Sequence, residues 1–389
     1  MASRPTTMKQ ETVETVISTM RGRVSERKAE AAETFIRHYY DDVAPEDILG
    51  ADPEDLYGAA LSLWQFGARR RPGEAAIRVY NPRVEQHGWH SPHTVVEIVN
   101  DDMPFLVDSV TMALNRLGLT VHLVVHPQFR VERDGEGRIA ALGIPGADSG
   151  EGFPESFMHV EIDEQGTADR LRAIETEMAD TLADVRAAVA AWQPMQERAA
   201  ALVDELKRDP PRGVEQEEVN ETVAFLRWLL DDHFTFLGYR EMEIEGEGGA
   251  ARIRVLGDSC LGLLRDPDIA VFQGLRRLGR LPAEVQAYLR EPHVLVMAKS
   301  NRRSTVHRPV HMDAIAVKRF DHDGNVTGVR LFVGLFTSAA YNQTPREIPI
   351  LRRKVSSLMA RAGYGERSHA GKALIHILDN FPRDELFQI

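Results

Sequence analysis

Three histidines, His87, His90 and His93, fall in the run HGWHSPHT, a spacing over which imidazoles can share a zinc ion. No cysteine lies near them, and Gly88 and Pro92 make the run read as a solvated loop. A second set is basic: Lys299, Arg302, Arg303 and Arg308, with His307 and His311 close by. Guanidinium and ammonium groups so gathered can hold a phosphate or carboxylate, or can simply offset an acidic surface. A third set is Asp101, Asp102, Met103, Pro104, Phe105, Asp108 and Ser109, read as a loop and the start of a helix. Free backbone N–H groups there attract an anion such as an amino acid's carboxylate. Equally, Asp101 and Asp102 can cap the helix themselves, with Pro104 in its first turn.

Catalytic patterns are scarce. The nearest glycine cluster, Gly246-Glu247-Gly248-Gly249-Ala250-Ala251, lies between two strand-like runs, so it reads as a hairpin turn and not as a dinucleotide-binding strand-to-helix loop. There is no GxxxxGK[ST] sequence. Cys260 has apolar neighbours, Leu261, Leu263 and Leu264, and reads as a core thiol. Ser109 follows Asp108 on a helix, not on a strained strand-to-helix turn, so it is no nucleophile elbow. No catalytic, cofactor-binding or metal-ligating residue is assigned.

The elements that must position these residues follow from periodicity. Residues 1–75 read as a helical segment, with Ala32, Phe35, Ile36 and Tyr39 on one stripe and Leu56, Ala59, Ala60, Leu63 and Phe66 on another, ending in a charged, broken linker at Arg69-Arg70-Arg71-Pro72-Gly73. Residues 76–165 form an α+β domain. Thr94–Val99 is a buried strand, and Leu106, Val110, Ala113, Leu114 and Leu117 line a helix that Gly118 ends. A strand follows from Leu119 to Val125 and on towards Val131; then come a glycine-rich loop with room for one hairpin and a strand at Phe157–Ile162. This β-α-β-β order fits a ferredoxin-type sandwich.

Residues 166–212 read as a long amphipathic connector that Pro194 should kink or break. Residues 213–342 read as an antiparallel sheet, of which a PAS-like sensor is one form, with a helix inserted at about 268–290. Residues 343–389 return to helix.

With 389 residues, 43% of them hydrophobic, the chain can bury two or three cores. Its net charge of −12 disfavours nucleic acid, no apolar run is long enough to span a membrane, and a single cysteine points to a reducing, cytoplasmic setting. The apolar ending Phe387-Gln388-Ile389 reads as a cut within a longer protein.

Several strings are recognisable as words. Asp101-Asp102-Met103-Pro104-Phe105-Leu106-Val107-Asp108-Ser109-Val110 with His126-Pro127 resembles the first ACT-like domain of the large NAD-dependent glutamate dehydrogenases. Phe236-Leu237-Gly238-Tyr239-Arg240, the run Lys299–Pro309, Gly334–Tyr341 and Pro382–Gln388 resemble later segments of the same family. The resemblance implies ACT-like and PAS-like modules flanked by helices, with the glutamate-binding and Rossmann-type domains beyond Ile389. It also implies a parent that oxidises L-glutamate to 2-oxoglutarate with NAD, with no cofactor bound by this segment. The expected partners are the remainder of the same chain, further copies in a homo-oligomer and an amino acid effector. A free-standing amino-acid-sensing ACT/PAS-type binding protein is the alternative, and an independent enzyme the third reading. One departure stands out: effector-binding ACT domains often carry glycine after the loop proline, and here that position is Phe105.

Overall fold

The computed structural model describes residues 4–23, 26–146, 152–246, 252–271, 290–365 and 367–387. They divide into two compact units, Met1–Val185 and Arg186–Ile389.

The first unit opens with helices α1 (Arg4–Arg21), α2 (Glu26–Asp41), α3 (Pro45–Ile48) and α4 (Pro53–Gly67). The Asp52 side chain accepts from the Glu54 N–H and caps α4, where Pro53 supplies a preset first turn. A six-stranded sheet follows, with β1 (Ala76–Tyr80), β2 (Thr94–Asp101), β3 (Val121–Val125), β4 (Gln128–Arg133), β5 (Ile139–Gly143) and β6 (Phe153–Ile162), interrupted by α5 (Val84–His87) and α6 (Leu106–Arg116). Every pairing is antiparallel, in the order β1-β2-β6-β4-β5, with β3 lying further along β6 beside β4.

The βαβ nucleus is as the hydrophobic pattern predicts, with three differences. Strand β1 precedes it. The expected continuous strand past Val125 is two strands, because the chain turns at His126-Pro127 and proline lacks the donor a central strand needs. The Arg69–Gly73 run is not a loose linker: Arg69 bridges Arg138, and the Arg70 N–H donates to the Gly137 carbonyl.

One face of the sheet meets the helices. Phe35, Tyr39 and Leu63 share a core with Val99, Phe129, Val131 and Phe157. Gly67 has to be glycine at this contact, since a Cβ there would lie 2.3 Å from the Phe157 ring. Burying these rings and branched side chains stabilises the unit by about 1.5–3 kcal/mol each.

Helix α7 (Ala168–Arg208) is one element of 41 residues. Pro194 does not end it: Ala191 and Met195 on either side are buried in the second unit's core, and that packing offsets the hydrogen bond the proline cannot make. Within the second unit, α8 (Gln216–Trp228) leads through a π-turn at Leu229–His233 into a five-stranded antiparallel sheet. Its strands are β7 (Phe234–Glu245), β8 (Arg252–Gly262), β9 (Leu295–Arg303), β10 (His311–Phe320) and β11 (Val326–Phe336), in the order β8-β7-β11-β10-β9. Strands β7 and β8 pair antiparallel with Glu245 facing Arg252, and the glycine cluster expected to turn between them lies, after Gly246, outside the described residues. The helix expected at about 268–290 falls largely outside the described residues. Helices Leu351–Ala362 and His369–Asn380 complete the unit.

Candidate functional site

The Asp101–Ser109 residues do come together, at the junction of β2 and α6, but their polar atoms are already engaged. The Asp101 carboxylate accepts from Arg70 at 2.8 Å and from the Gly73 N–H at 3.1 Å. Asp102 Oδ1 accepts from the Ser156 hydroxyl at 2.6 Å and from Gln128 Nε2 at 3.1 Å. Ser156 in turn meets His126 Nε2 at 2.9 Å. Its proton therefore goes to the carboxylate and not to the imidazole, the reverse of what an activated serine needs. Burial pushes the His126 pKa down, against the pull of Asp102.

Helix α6 starts after the proline expected in its first turn, and neither Asp101 nor Asp102 is its cap. Its N-cap is Phe105, so Pro104 lies before the helix and not in its first turn. Phe105 has φ 72° and ψ 5°, the left-handed conformation that glycine adopts without penalty. The loop thus keeps a glycine-type backbone with a phenylalanine in it, at about 1–2 kcal/mol of strain. Met103 is half-buried, Asp108 is exposed and Ser109 is buried, its N–H given to the Phe105 carbonyl.

Behind this junction lies a charge network invisible to sequence reasoning. Arg70 contacts Glu155 at 2.7 Å as well as Asp101, and Arg133 contacts the other Glu155 oxygen at 2.6 Å. The side chains of Arg70, Arg133 and Glu155 are only 2%, 3% and 2% exposed. Nearby, Glu97, fully buried, takes hydrogen bonds from Arg78 and the Tyr80 hydroxyl.

The first unit also holds a cleft of about 400 Å³ between the α3–α4 region and the β3–β6 side of the sheet. Alternation along β6 puts His159 and Glu161 on one face, and this period-two signal was legible in the sequence. Glu161 contacts His93 Nδ1 at 2.7 Å and His159 Nε2 at 3.4 Å. Burial works against its charged form, but the two imidazoles outweigh burial and hold its pKa down to about 2. The His93 ring stacks on His122 with centroids 4.2 Å apart, and His122 contacts Asp163 at 2.8 Å. Of the three histidines in HGWHSPHT, His87 accepts from the Arg83 N–H, the His90 N–H donates to Asp55, and His93 faces Glu161. Among the described residues no group of three or more His, Cys, Asp or Glu side chains is arranged to hold a metal ion.

The basic set of the second unit is engaged or dispersed. Lys299 pairs with Asp313 at 2.7 Å, and Arg308 donates to the Phe336 carbonyl at 2.5 Å. Arg302 and Arg303 are exposed at the end of β9. Burial raises the pKa of Cys260, as suits a thiol that is not a nucleophile.

This architecture is an α+β protein built on a ferredoxin-like ACT sandwich, and the comparisons agree. Residues 35–178 match the family model of the glutamate dehydrogenase ACT1 domain, and residues 348–389 match that of glutamate dehydrogenase helical motif 1. The chain is 38% identical over 370 residues to an NAD-specific glutamate dehydrogenase of Halomonas elongata, covering 95% of this chain and 23% of that protein. A protein of the same description from Pseudomonas aeruginosa is 37% identical over 91% of this chain and 22% of its own length. One from Mycobacterium tuberculosis is 27% identical, over 84% and 18%. The chain belongs to the large NAD-dependent glutamate dehydrogenase family and corresponds to its N-terminal region. It spans less than a quarter of the length of these curated relatives. Among the described residues no helix is long and apolar enough to cross a membrane.

Proposed function

We propose that this segment regulates and assembles a cytoplasmic glutamate dehydrogenase. The parent would oxidise L-glutamate to 2-oxoglutarate and ammonia with NAD, through domains outside this chain. The observation that carries the reading is the β2–α6 junction of the ACT1-matched module. Its backbone bends as though for close ligand approach, while Phe105 occupies the bend and both aspartates are tied to Arg70, Gly73, Ser156 and Gln128. A loop so filled suits a fixed structural surface, so assembly into a homo-oligomer comes before amino acid sensing in this reading. The second sheet is PAS-like in the same proposal, supported by its antiparallel order β8-β7-β11-β10-β9.

Three measurements test it. The isolated chain should show no glutamate-dependent NADH formation, and clear turnover would sink the reading. Light scattering after size exclusion should give more than one copy per particle; a monomer at all concentrations argues against assembly. A thermal-shift screen of the common amino acids separates the two roles. A ligand at about 100 times its Kd adds about 2.7 kcal/mol to the native state, and a shift abolished by Asp102→Ala would make the junction an effector site.

A further inference from the structure

We infer that the cleft beside β6 in the first unit is a binding site for a small organic cation, one ammonium group on a short apolar body. The inference rests on the make-up of the walls and does not depend on the regulatory reading.

Every residue lining the cleft falls within the stretch matched to the ACT1 domain, so the site is internal to one module. Four carboxylates line it, Asp47, Asp52 and Asp55 from the helical side and Glu161 from the sheet. No lysine or arginine does; the only basic groups of the wall are imidazoles. Two of these, His93 and His159, are committed to Glu161, which the same contacts keep ionised. An anion entering here would meet net repulsion, and a neutral molecule would gain only burial. A cation gains attraction to fixed charge in a partly desolvated site.

The remaining wall fits the body of such a ligand. Tyr39, Tyr40 and Trp89, each 3% exposed or less, pack against one another and against His159 behind the wall and fix its shape. Ile48, Leu56 and Leu123 supply aliphatic surface. Gly58 is what brings Trp89 this close, because a Cβ there would lie 2.2 Å from the tryptophan's own Cβ. The polarity is also matched. One buried nitrogen of the wall that can accept, His159 Nδ1, has no hydrogen-bond partner. With His159 Nε2 turned to Glu161, Nδ1 is the accepting side of the ring, and an ammonium N–H is its complement. A volume of about 400 Å³ is at the small-ligand end of the usual range of about 300–1,000 Å³.

The test is calorimetry on the whole chain at constant ionic strength, with n-butylammonium, n-butanol and butyrate as probes. Saturable one-to-one binding of the amine is expected, with the alcohol weaker by about tenfold and butyrate not bound. Glu161→Gln should weaken the amine about tenfold and leave the alcohol unchanged. Asp55→Asn, on the helical wall, provides a second arm should the first variant fold poorly, and it should act in the same direction. The inference is overturned by no saturation at about 10 mM amine, where a site of Kd about 1 mM would be nine-tenths filled. Equal binding of amine and alcohol, or tighter binding of butyrate, overturns it as well.

Discussion

The two units differ in how far their buried charges bind one another. In the first, ionised side chains lie inside the structure and bind one another: Arg70 and Arg133 around Glu155, Arg78 and Tyr80 on Glu97. Rings fill both cores: in the first Phe35 stacks on Phe129 at 4.9 Å, and the second is filled the same way. Phe336 stacks on Phe387 at 4.7 Å, Phe234 meets Phe236 edge-on at 5.1 Å, and Tyr239 lies against Phe332 at 4.7 Å. The second unit buries charges too: Lys318 donates to the Glu291 carbonyl, Arg240 to that of Ile269, and Asp313 pairs with Lys299. A side-chain network is directional and fails when one partner loses charge at constant shape. An aromatic core fails when it loses volume. The first sheet should therefore be the more sensitive to a lost charge.

The largest effects come from attacking the network in the first unit and the rings in the second. Glu155→Gln keeps the shape and leaves two buried guanidinium groups without their shared carboxylate, for a loss of about 3–5 kcal/mol. Peptide-resolved hydrogen exchange should speed up in Thr94–Asp101 and Phe153–Ile162 and stay unchanged in Phe234–Glu245. Phe332→Ala should do the reverse, at about 3–5 kcal/mol. If either variant loosens both sheets equally, the contrast is wrong.

A pH titration sharpens it. Glu161 titrates at about 2 in the folded chain against an ordinary 4.5, so its contribution is complete above pH 4.5 and is lost as the pH falls towards 2. The melting gap between the native chain and Glu161→Gln should close across that window; a gap constant with pH would mean that the Glu161 contacts with His93 and His159 contribute nothing. The smallest effect is at a helix end. Asp52→Ala removes the α4 cap and should cost about 1 kcal/mol, visible as faster exchange confined to the first turn of that helix.

Local patterns carried most of the fold. The β-branched run at Thr94–Val99, the stripe of α6 and the alternation at Phe157–Ile162 each became the expected element, because each is a short-range consequence of which side chains must be buried. Strand β1, five residues and mostly half-buried, has too weak a pattern to stand out alone. At the candidate site the residues of the loop were legible and their partners were not. Asp101 meets Arg70 and Asp102 meets Ser156 across 31 and 54 residues of chain, and no local periodicity encodes such pairs. The continuity of α7 through Pro194 was hidden for the same reason: the packing that holds it comes from residues distant in sequence.

The burial of Arg70 gives the chain a built-in report on its own integrity. Arg69-Arg70-Arg71 looks like an open invitation to trypsin, yet cleavage after Arg70 needs that side chain in the protease's pocket. In the native unit the side chain is 2% exposed and held by Glu155 and Asp101, with its N–H tied to Gly137. The enzyme must wait for the network to open, so the rate of scission at this one bond measures how often the first unit comes apart.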